Sequence, residues 1–139
     1  MKHILVIDDD PATRYLVKSI LEDAGFTVLL ASGGEEGLEM FQHHQIALVI
    51  TDILMPGTDG LAVIRELMAT CPTTPVIALS GGGMILTAET SLHIARKMGA
   101  FRTMAKPFVR MELLQLINEV LHNTSAELQS PSAQPSPLA

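Results

Sequence analysis

The sequence predicts an α/β fold in which one open parallel sheet carries helices on both faces. Five short apolar segments alternate with longer segments whose apolar residues recur at helical spacing. The first and third apolar segments contain almost no polar residue, which is typical of strands buried on both faces of a parallel sheet. The predicted strands are residues 3–7, 26–30, 46–51, 75–79 and 101–105.

Each segment that follows a strand predicts a helix. Asp10 and Pro11 are the residue types that favour the N-cap and first turn of a helix, and Gly25 suits the end of that helix. Ser32 with Glu35 predicts a capping box at the start of the second helix. The remaining helices are expected at about 59–70, 86–98 and 108–122.

The composition predicts one globular domain followed by a tail. The chain has 139 residues, of which 47% are hydrophobic and 17% are charged. Residues 123–139 are rich in Ser, Pro, Gln and Ala. We therefore expect a folded domain over residues 1–122 and a disordered tail over residues 123–139.

Charge and cysteine content narrow the classes of function. A net charge of −6 without a basic cluster argues against nucleic-acid binding by this domain. A single cysteine, Cys71, excludes an internal disulfide and suits a reducing compartment. The first apolar run is too short for a signal peptide, and none approaches the ~18 residues of a membrane span. We expect a cytoplasmic protein without membrane contact.

Polar residues follow four of the predicted strands, where ligands of open parallel sheets bind. They are Asp8, Asp9 and Asp10 after the first strand, Asp52 after the third, Ser80 after the fourth and Lys106 after the fifth. Neighbouring carboxylates repel one another, and a hard cation such as Mg2+ relieves that repulsion. A lysine suits a phosphoryl oxygen, and an aspartate can act as a nucleophile that forms an aspartyl phosphate.

Four motifs resemble those of the receiver domain of two-component response regulators. They are ILVIDDDP (4–11), LVITDILMPGTDG (48–60), PVIALSG (75–81) and GAFRTMAKPF (99–108), and they occur in the order and spacing of that family. The resemblance covers roughly residues 1–122. It implies the flavodoxin-like (βα)5 fold with strand order 2-1-3-4-5, and a cis bond between Lys106 and Pro107.

The resemblance also implies a metal site. Asp9 would be the direct carboxylate ligand of Mg2+ (or Mn2+), and Asp8 would act mainly through water. Asp52 and the backbone carbonyl of Leu54 would complete the protein ligands.

The same resemblance makes Asp52 the phosphoacceptor. Lys106 would pair with Asp52 and its phosphoryl group, and Ser80 would donate a hydrogen bond to a phosphoryl oxygen. The donor would be the phosphohistidine of a sensor histidine kinase or a phosphotransfer protein. With no output domain expected, the chain would signal by contact with a downstream protein, as a monomer or weak homodimer, and would not be a dedicated enzyme.

Two features depart from the family pattern. Thr103 stands where the family usually has Tyr or Phe, whose rotamer is coupled to the residue at Ser80. The stretch from Ser80 to Gly99 is longer than usual and starts with Gly81-Gly82-Gly83, which predicts a flexible loop.

Two other classes of protein remain open at this stage. Haloacid-dehalogenase-type phosphatases also form an aspartyl phosphate, but they need a second acid two residues after the nucleophile, where this chain has Leu54. They also carry cap insertions for which the chain is too short. The other class is a degenerate receiver that acts only as a binding module, which Thr103 keeps open.

Overall fold

The chain forms a parallel sheet with helices on both sides. The computed structural model describes residues 2–53, 55, 60–80, 93, 96–97 and 99–129, with side chains through residue 122. The strands are β1 (His3–Ile7), β2 (Val28–Ala31), β3 (Ile46–Asp52), β4 (Val76–Ser80) and β5 (Arg102–Ala105). The helices are α1 (Pro11–Asp23), α2 (Gly34–His43), α3 (Gly60–Thr70) and α4 (Arg110–Gln129).

The sheet has the order β2-β1-β3-β4-β5, and each described pairing is parallel. This confirms the predicted fold class and strand order, and the predicted strand ends are correct to within two residues. In the register, Ile7 pairs with Thr51, and Asp52 pairs with Leu79. The carboxyl ends of the strands are therefore aligned along one edge of the sheet.

Apolar side chains of the central strands are divided between two cores. Ile4 and Val6 of β1 pack in one cluster with residues of α1 and α4, whereas Leu5 and Ile7 pack in a second cluster with residues of α3. Successive strand residues point to opposite faces, so an almost wholly apolar strand is buried on both sides. This arrangement explains why β1 and β3 are apolar over most of their length.

The helix starts agree with the sequence in one case and differ in another. Asp10 is the N-cap of α1, as expected, and its carboxylate accepts a hydrogen bond from the Ala12 N–H. The capping box of Ser32 with Glu35 is wrong, because Gly33 is the N-cap of α2. This later start makes Glu36 the third helical residue, and Glu36 accepts hydrogen bonds from the N–H and hydroxyl of Ser32.

The C-terminal helix is longer than expected. Helix α4 runs from Arg110 to Gln129, so residues 123–129, expected to be disordered, are helical. This segment ends in the strong helix formers Ala, Glu, Leu and Gln, and the next proline along the chain, Pro131, follows the end of the helix. The division of the chain into a domain and a tail at residue 122 remains a prediction.

Some expectations lie outside the described residues. They concern Leu54, the Gly81–Gly83 loop and most of the helix predicted over 86–98, of which His93, Arg96 and Lys97 have helical backbone. Within the described part of the chain, no helix has the length and apolar character needed to cross a membrane.

Candidate functional site

Five of the predicted site residues lie at the carboxyl edge of the sheet. Carboxylate oxygens of Asp8, Asp9 and Asp52 are all within 4.8 Å of one another. The ammonium nitrogen of Lys106 lies 2.9 Å from Asp8 Oδ2 and 3.5 Å from Asp52 Oδ2. Ser80 is fully buried at the end of β4, which lies between β3 and β5.

The alignment of the strands explains why these residues meet. The Lys106 N–H donates a hydrogen bond of 2.9 Å to the Ser80 carbonyl, so the chain leaves β5 still attached to β4. The bond between Lys106 and Pro107 is cis, as expected. The parallel register brings residues 98 positions apart in sequence, Asp8 and Lys106, into direct contact.

Asp52 is a buried carboxylate whose pKa is raised. It is 7% exposed, and its Oδ1 accepts a hydrogen bond of 3.0 Å from the Ile53 N–H. Burial raises the pKa of Asp52 to about 6, with a smaller contribution from the charge of Asp8, although Lys106 opposes the increase. Asp52 is therefore ionised at neutral pH and more basic than an ordinary aspartate.

Asp8 and Lys106 form the buried ion pair of the site. The Asp8 side chain is 1% exposed, and its other oxygen accepts a hydrogen bond of 2.9 Å from the Asp10 N–H. Burial alone would lower the pKa of Lys106, but the hydrogen bond to Asp8 and the charge of Asp52 outweigh it and raise that pKa. Lys106 thus remains a cation beside both acids.

Comparison with known proteins identifies the family to which this arrangement belongs. The family model described as the response regulator receiver domain matches residues 4–118. The chain belongs to this family. The receiver domains of Methanospirillum hungatei and Clostridium thermocellum superpose with TM-scores of 0.82 and 0.81, at 29% and 34% identity. Each alignment covers 91% of this chain and 98% of the other.

Longer regulatory proteins contain a region that is similar to this chain. The transcriptional regulatory protein GlrR of Escherichia coli is 32% identical over 123 residues, and the C4-dicarboxylate transport transcriptional regulatory protein DctD of Rhizobium meliloti is 38% identical over 112. These alignments cover 88% and 81% of this chain. The chain spans only about a quarter of the length of both relatives, 27% and 24%.

The acidic cluster of this receiver domain fits a magnesium ion. Its three carboxylates offer oxygen ligands, which Mg2+ prefers. Among the described residues, only Lys106 forms an ion pair with these acids, so one positive charge faces three formal negative charges. Opposite ligands of Mg2+ are roughly 4 Å apart, so oxygens within 4.8 Å need only a small approach to share an ion. Asp9 is exposed, so retained waters have access to the cluster.

Sequence reasoning missed two residues of the site. Arg14 donates a hydrogen bond of 2.7 Å from Nη1 to the Asp8 carbonyl. Gly60 packs so closely on the end of β3 that a Cβ there would overlap the Asp52 carbonyl oxygen. The i, i+4 spacing of Asp10 and Arg14 hinted that Arg14 faces the acidic loop, but no sequence signal indicated the contact of Gly60.

Thr103 lies on β5, where it pairs with Ala78. It lines a surface cavity of about 500 Å³ together with Glu112, Leu116 and Glu119 of α4. The altered coupling expected from a threonine in place of an aromatic residue remains a prediction.

Proposed function

We propose that this receiver domain accepts a phosphoryl group on Asp52 from the phosphohistidine of a sensor histidine kinase or phosphotransfer protein. The observation that carries the proposal is the buried Asp52 carboxylate with a pKa of about 6, next to Lys106 and two further acids. A basic, ionised and oriented carboxylate is suited to nucleophilic attack on phosphorus.

In the transfer, an oxygen of Asp52 forms a bond to phosphorus while the bond from phosphorus to the histidine nitrogen breaks. The Ile53 N–H holds one oxygen of Asp52, and Lys106 lies beside the other, so the carboxylate has a defined orientation. Lys106 stabilises the charge that develops on the phosphoryl oxygens. Asp8, Asp9 and Asp52 would hold Mg2+ (or Mn2+), which neutralises the same charge; Leu54 is a proposed further ligand through its carbonyl.

After the transfer, the product itself would carry the signal. Ser80 would donate its hydroxyl to a phosphoryl oxygen, and this contact would shift the segment that follows β4. The acyl phosphate would be lost slowly by self-dephosphorylation, without turnover as a dedicated enzyme. We further propose that the domain acts in the cytoplasm through contact with a downstream protein, without binding nucleic acid, and as a monomer or weak homodimer.

Acetyl phosphate tests the proposal directly. The protein is incubated with acetyl phosphate and Mg2+, and its intact mass and the modified peptide are measured by mass spectrometry. We expect the mass gain of one phosphoryl group at Asp52, and none in Asp52→Asn. Asp10→Asn is the matched control, because it removes the same charge from the same edge of the sheet and should still be labelled.

The outcomes separate the three classes of protein. Absence of labelling by acetyl phosphate and by histidine kinases would favour the binding module. Labelling of Asp52→Asn at the wild-type level would place the phosphoacceptor elsewhere. Rapid multiple turnover of a small phosphoester would favour the hydrolase.

A further inference from the structure

The position of Asp9 depends on the backbone around it. Asp9 lies in the short connection between β1 and α1, and its side chain is exposed, so packing does not restrain it. Its neighbour Asp8 is buried and paired with Lys106. The position of the Asp9 side chain therefore depends on the contacts that hold the peptide groups on either side of it.

The peptide group after Asp9 is held by Asp8 itself. The Asp10 N–H donates a hydrogen bond of 2.9 Å to Asp8 Oδ1. Asp10 is also attached to α1, because its carboxylate accepts hydrogen bonds from the Ala12 N–H and, at 2.7 Å, from the Thr13 hydroxyl. These hydrogen bonds fix the orientation of the peptide group between Asp9 and Asp10.

The peptide group before Asp9 is held by Arg14. Its guanidinium Nη1 donates a hydrogen bond of 2.7 Å to the carbonyl oxygen of Asp8. The peptide bond is planar, so the contact that orients this carbonyl also orients the Asp9 N–H and Cα. Both peptide planes that flank Asp9 are therefore fixed by hydrogen bonds.

The charge of Arg14 also acts on a carboxylate of a neighbouring helix. Arg14 is half-buried on α1, and the carboxylate is that of Glu36 on α2. Hydrogen bonds from Ser32 and, to a smaller extent, the charge of Arg14 lower the pKa of Glu36. The charge of Glu36 thus adds a weak attraction on the guanidinium, and the contact that defines the orientation of Arg14 is its hydrogen bond to the Asp8 carbonyl.

We propose that Arg14 is a positioning residue that pre-orients Asp9 for divalent-cation binding at the Asp8, Asp9 and Asp52 cluster. The inference rests on the proposed function, since it concerns the same metal site. Residues that hold metal ligands in place typically contribute roughly 10- to 100-fold to metal affinity.

The direction of the change in Mg2+ affinity on replacing Arg14 distinguishes positioning from charge repulsion. The positive charge of Arg14 repels Mg2+, so its removal by itself would tighten Mg2+ binding. Loss of positioning would weaken it. A residue that contributed only to folding would lower the melting temperature and leave the Mg2+ affinity of the folded protein unchanged.

The test is a calorimetric titration of the intact chain with MgCl2, together with NMR shifts of the Asp9 and Asp10 amides. We expect Arg14→Lys, which keeps the charge and loses the planar guanidinium, to weaken Mg2+ binding about tenfold. Arg14→Gln should also weaken binding, by less than Arg14→Lys because repulsion is relieved. Lys18→Gln is the matched control: it removes an equal charge one turn along α1, where Lys18 pairs with Glu22 at 3.2 Å.

Each result decides between the explanations. Weaker binding in both Arg14 variants, with Lys18→Gln close to wild type, supports the proposal. Unchanged or tighter binding in Arg14→Gln and an unchanged affinity in Arg14→Lys overturn it, whatever the melting temperatures. If the wild type itself binds no Mg2+, the proposed metal site fails, which is distinguishable from a failure of Arg14 alone.

Discussion

Two segments supply the acids of the site, and they are held in place by different means. At the end of β3, Thr51 and Ile53 are fully buried and Asp52 is 7% exposed, so packing defines their positions. In the connection from β1 to α1, Asp9 and Asp10 are exposed, and hydrogen bonds define the backbone. We call the end of β3 the packed side of the site and the exposed connection from β1 to α1 the open side. Asp52, the predicted nucleophile, lies on the packed side, and Asp9, the predicted direct carboxylate ligand of Mg2+, lies on the open side.

The difference follows from what each side must do. A nucleophile gains from desolvation, which raises the pKa of Asp52, at a cost in stability whenever its carboxylate is charged. A Mg2+ site must exchange ions and retain waters, which requires access to solvent. Hydrogen bonds can fix the conformation of an exposed backbone and leave it accessible to water, whereas close packing would bury it.

The largest effect is expected at the packed side, from Gly60→Ala. The new methyl group would overlap the Asp52 carbonyl oxygen and lie 2.7 Å from Ile53 Cα, and both belong to a buried strand end that cannot yield. We expect a loss of about 3 kcal/mol in the free energy of unfolding, measured by urea denaturation. Labelling of the remaining folded protein by acetyl phosphate should also fall.

Gly37→Ala is the control for that prediction. Its methyl group would overlap Cδ1 of the buried Ile7 side chain and lie 2.7 Å from its Cγ1, so that side chain must move, although alanine is the better residue within a helix. We expect a loss of about 1 kcal/mol, smaller than that of Gly60→Ala, because a side chain can adjust whereas the backbone at the end of β3 cannot. Equal losses in the two variants would show that the close packing on Asp52 has no special importance.

A smaller effect of opposite sign is expected from Asp52→Asn. The pKa of Asp52 rises from 3.8 to about 6 on folding, so its contribution to stability is present below about pH 4 and is lost as the pH rises through 6. Asparagine carries no charge and avoids that loss. In EDTA, we expect the variant to be more stable than wild type by about 2 kcal/mol at pH 8 and nearly equal to it at pH 4.

Parallel urea titrations at several pH values check this prediction. The comparison uses the difference between variant and wild type, so the titration of groups that do not interact with Asp52 cancels. A difference independent of pH between 4 and 8 would contradict the assignment of the raised pKa to Asp52.

The smallest effect is expected on the open side, from Asp10→Ala. The change removes the acceptor for the Ala12 N–H and the Thr13 hydroxyl at the start of α1. We expect the melting temperature to fall by about 4 °C, measured by circular dichroism. Asp10→Asn should recover most of the loss, because asparagine is an equally good N-cap.

Phosphorylation of the Asp10 variants tests whether Asp10 contributes to the site or only to the start of α1. The Asp10 carboxylate is outside the cluster of three acids found among the described residues, so Asp10→Ala should still be phosphorylated on Asp52. Loss of labelling in both Asp10 variants, with the fold intact, would make Asp10 part of the site.

Much of the site could be predicted because parallel strands end along one edge. The short apolar runs located β1, β3 and β4, and each run ended directly before a polar residue. The sheet order then brought Asp8, Asp52 and Lys106 together as expected. The contact between Arg14 and Asp8 could not be predicted, because it depends on a side-chain rotamer and the pitch of α1 relative to β1.

Boundaries and caps were predicted less well, because weak local preferences decide them. The start of α2 differs by one residue from the capping box expected at Ser32, since Gly33 serves as the N-cap instead. Helix α4 continues through residues 123–129, where composition alone suggested disorder. In both places competing local conformations differ by roughly 1 kcal/mol or less.

The sequence by itself determined the alternation of strands and helices, the burial of β1 and β3 on both faces, and the residue types at the strand ends. These features depend on periodicity and on residue chemistry, both of which are local. Only the tertiary structure decided that Asp52 is desolvated, that Lys106 lies closer to Asp8 than to Asp52, and that Gly60 has no room for a Cβ. Desolvation and close contact depend on atoms that are far apart in the chain, so no local pattern contains them.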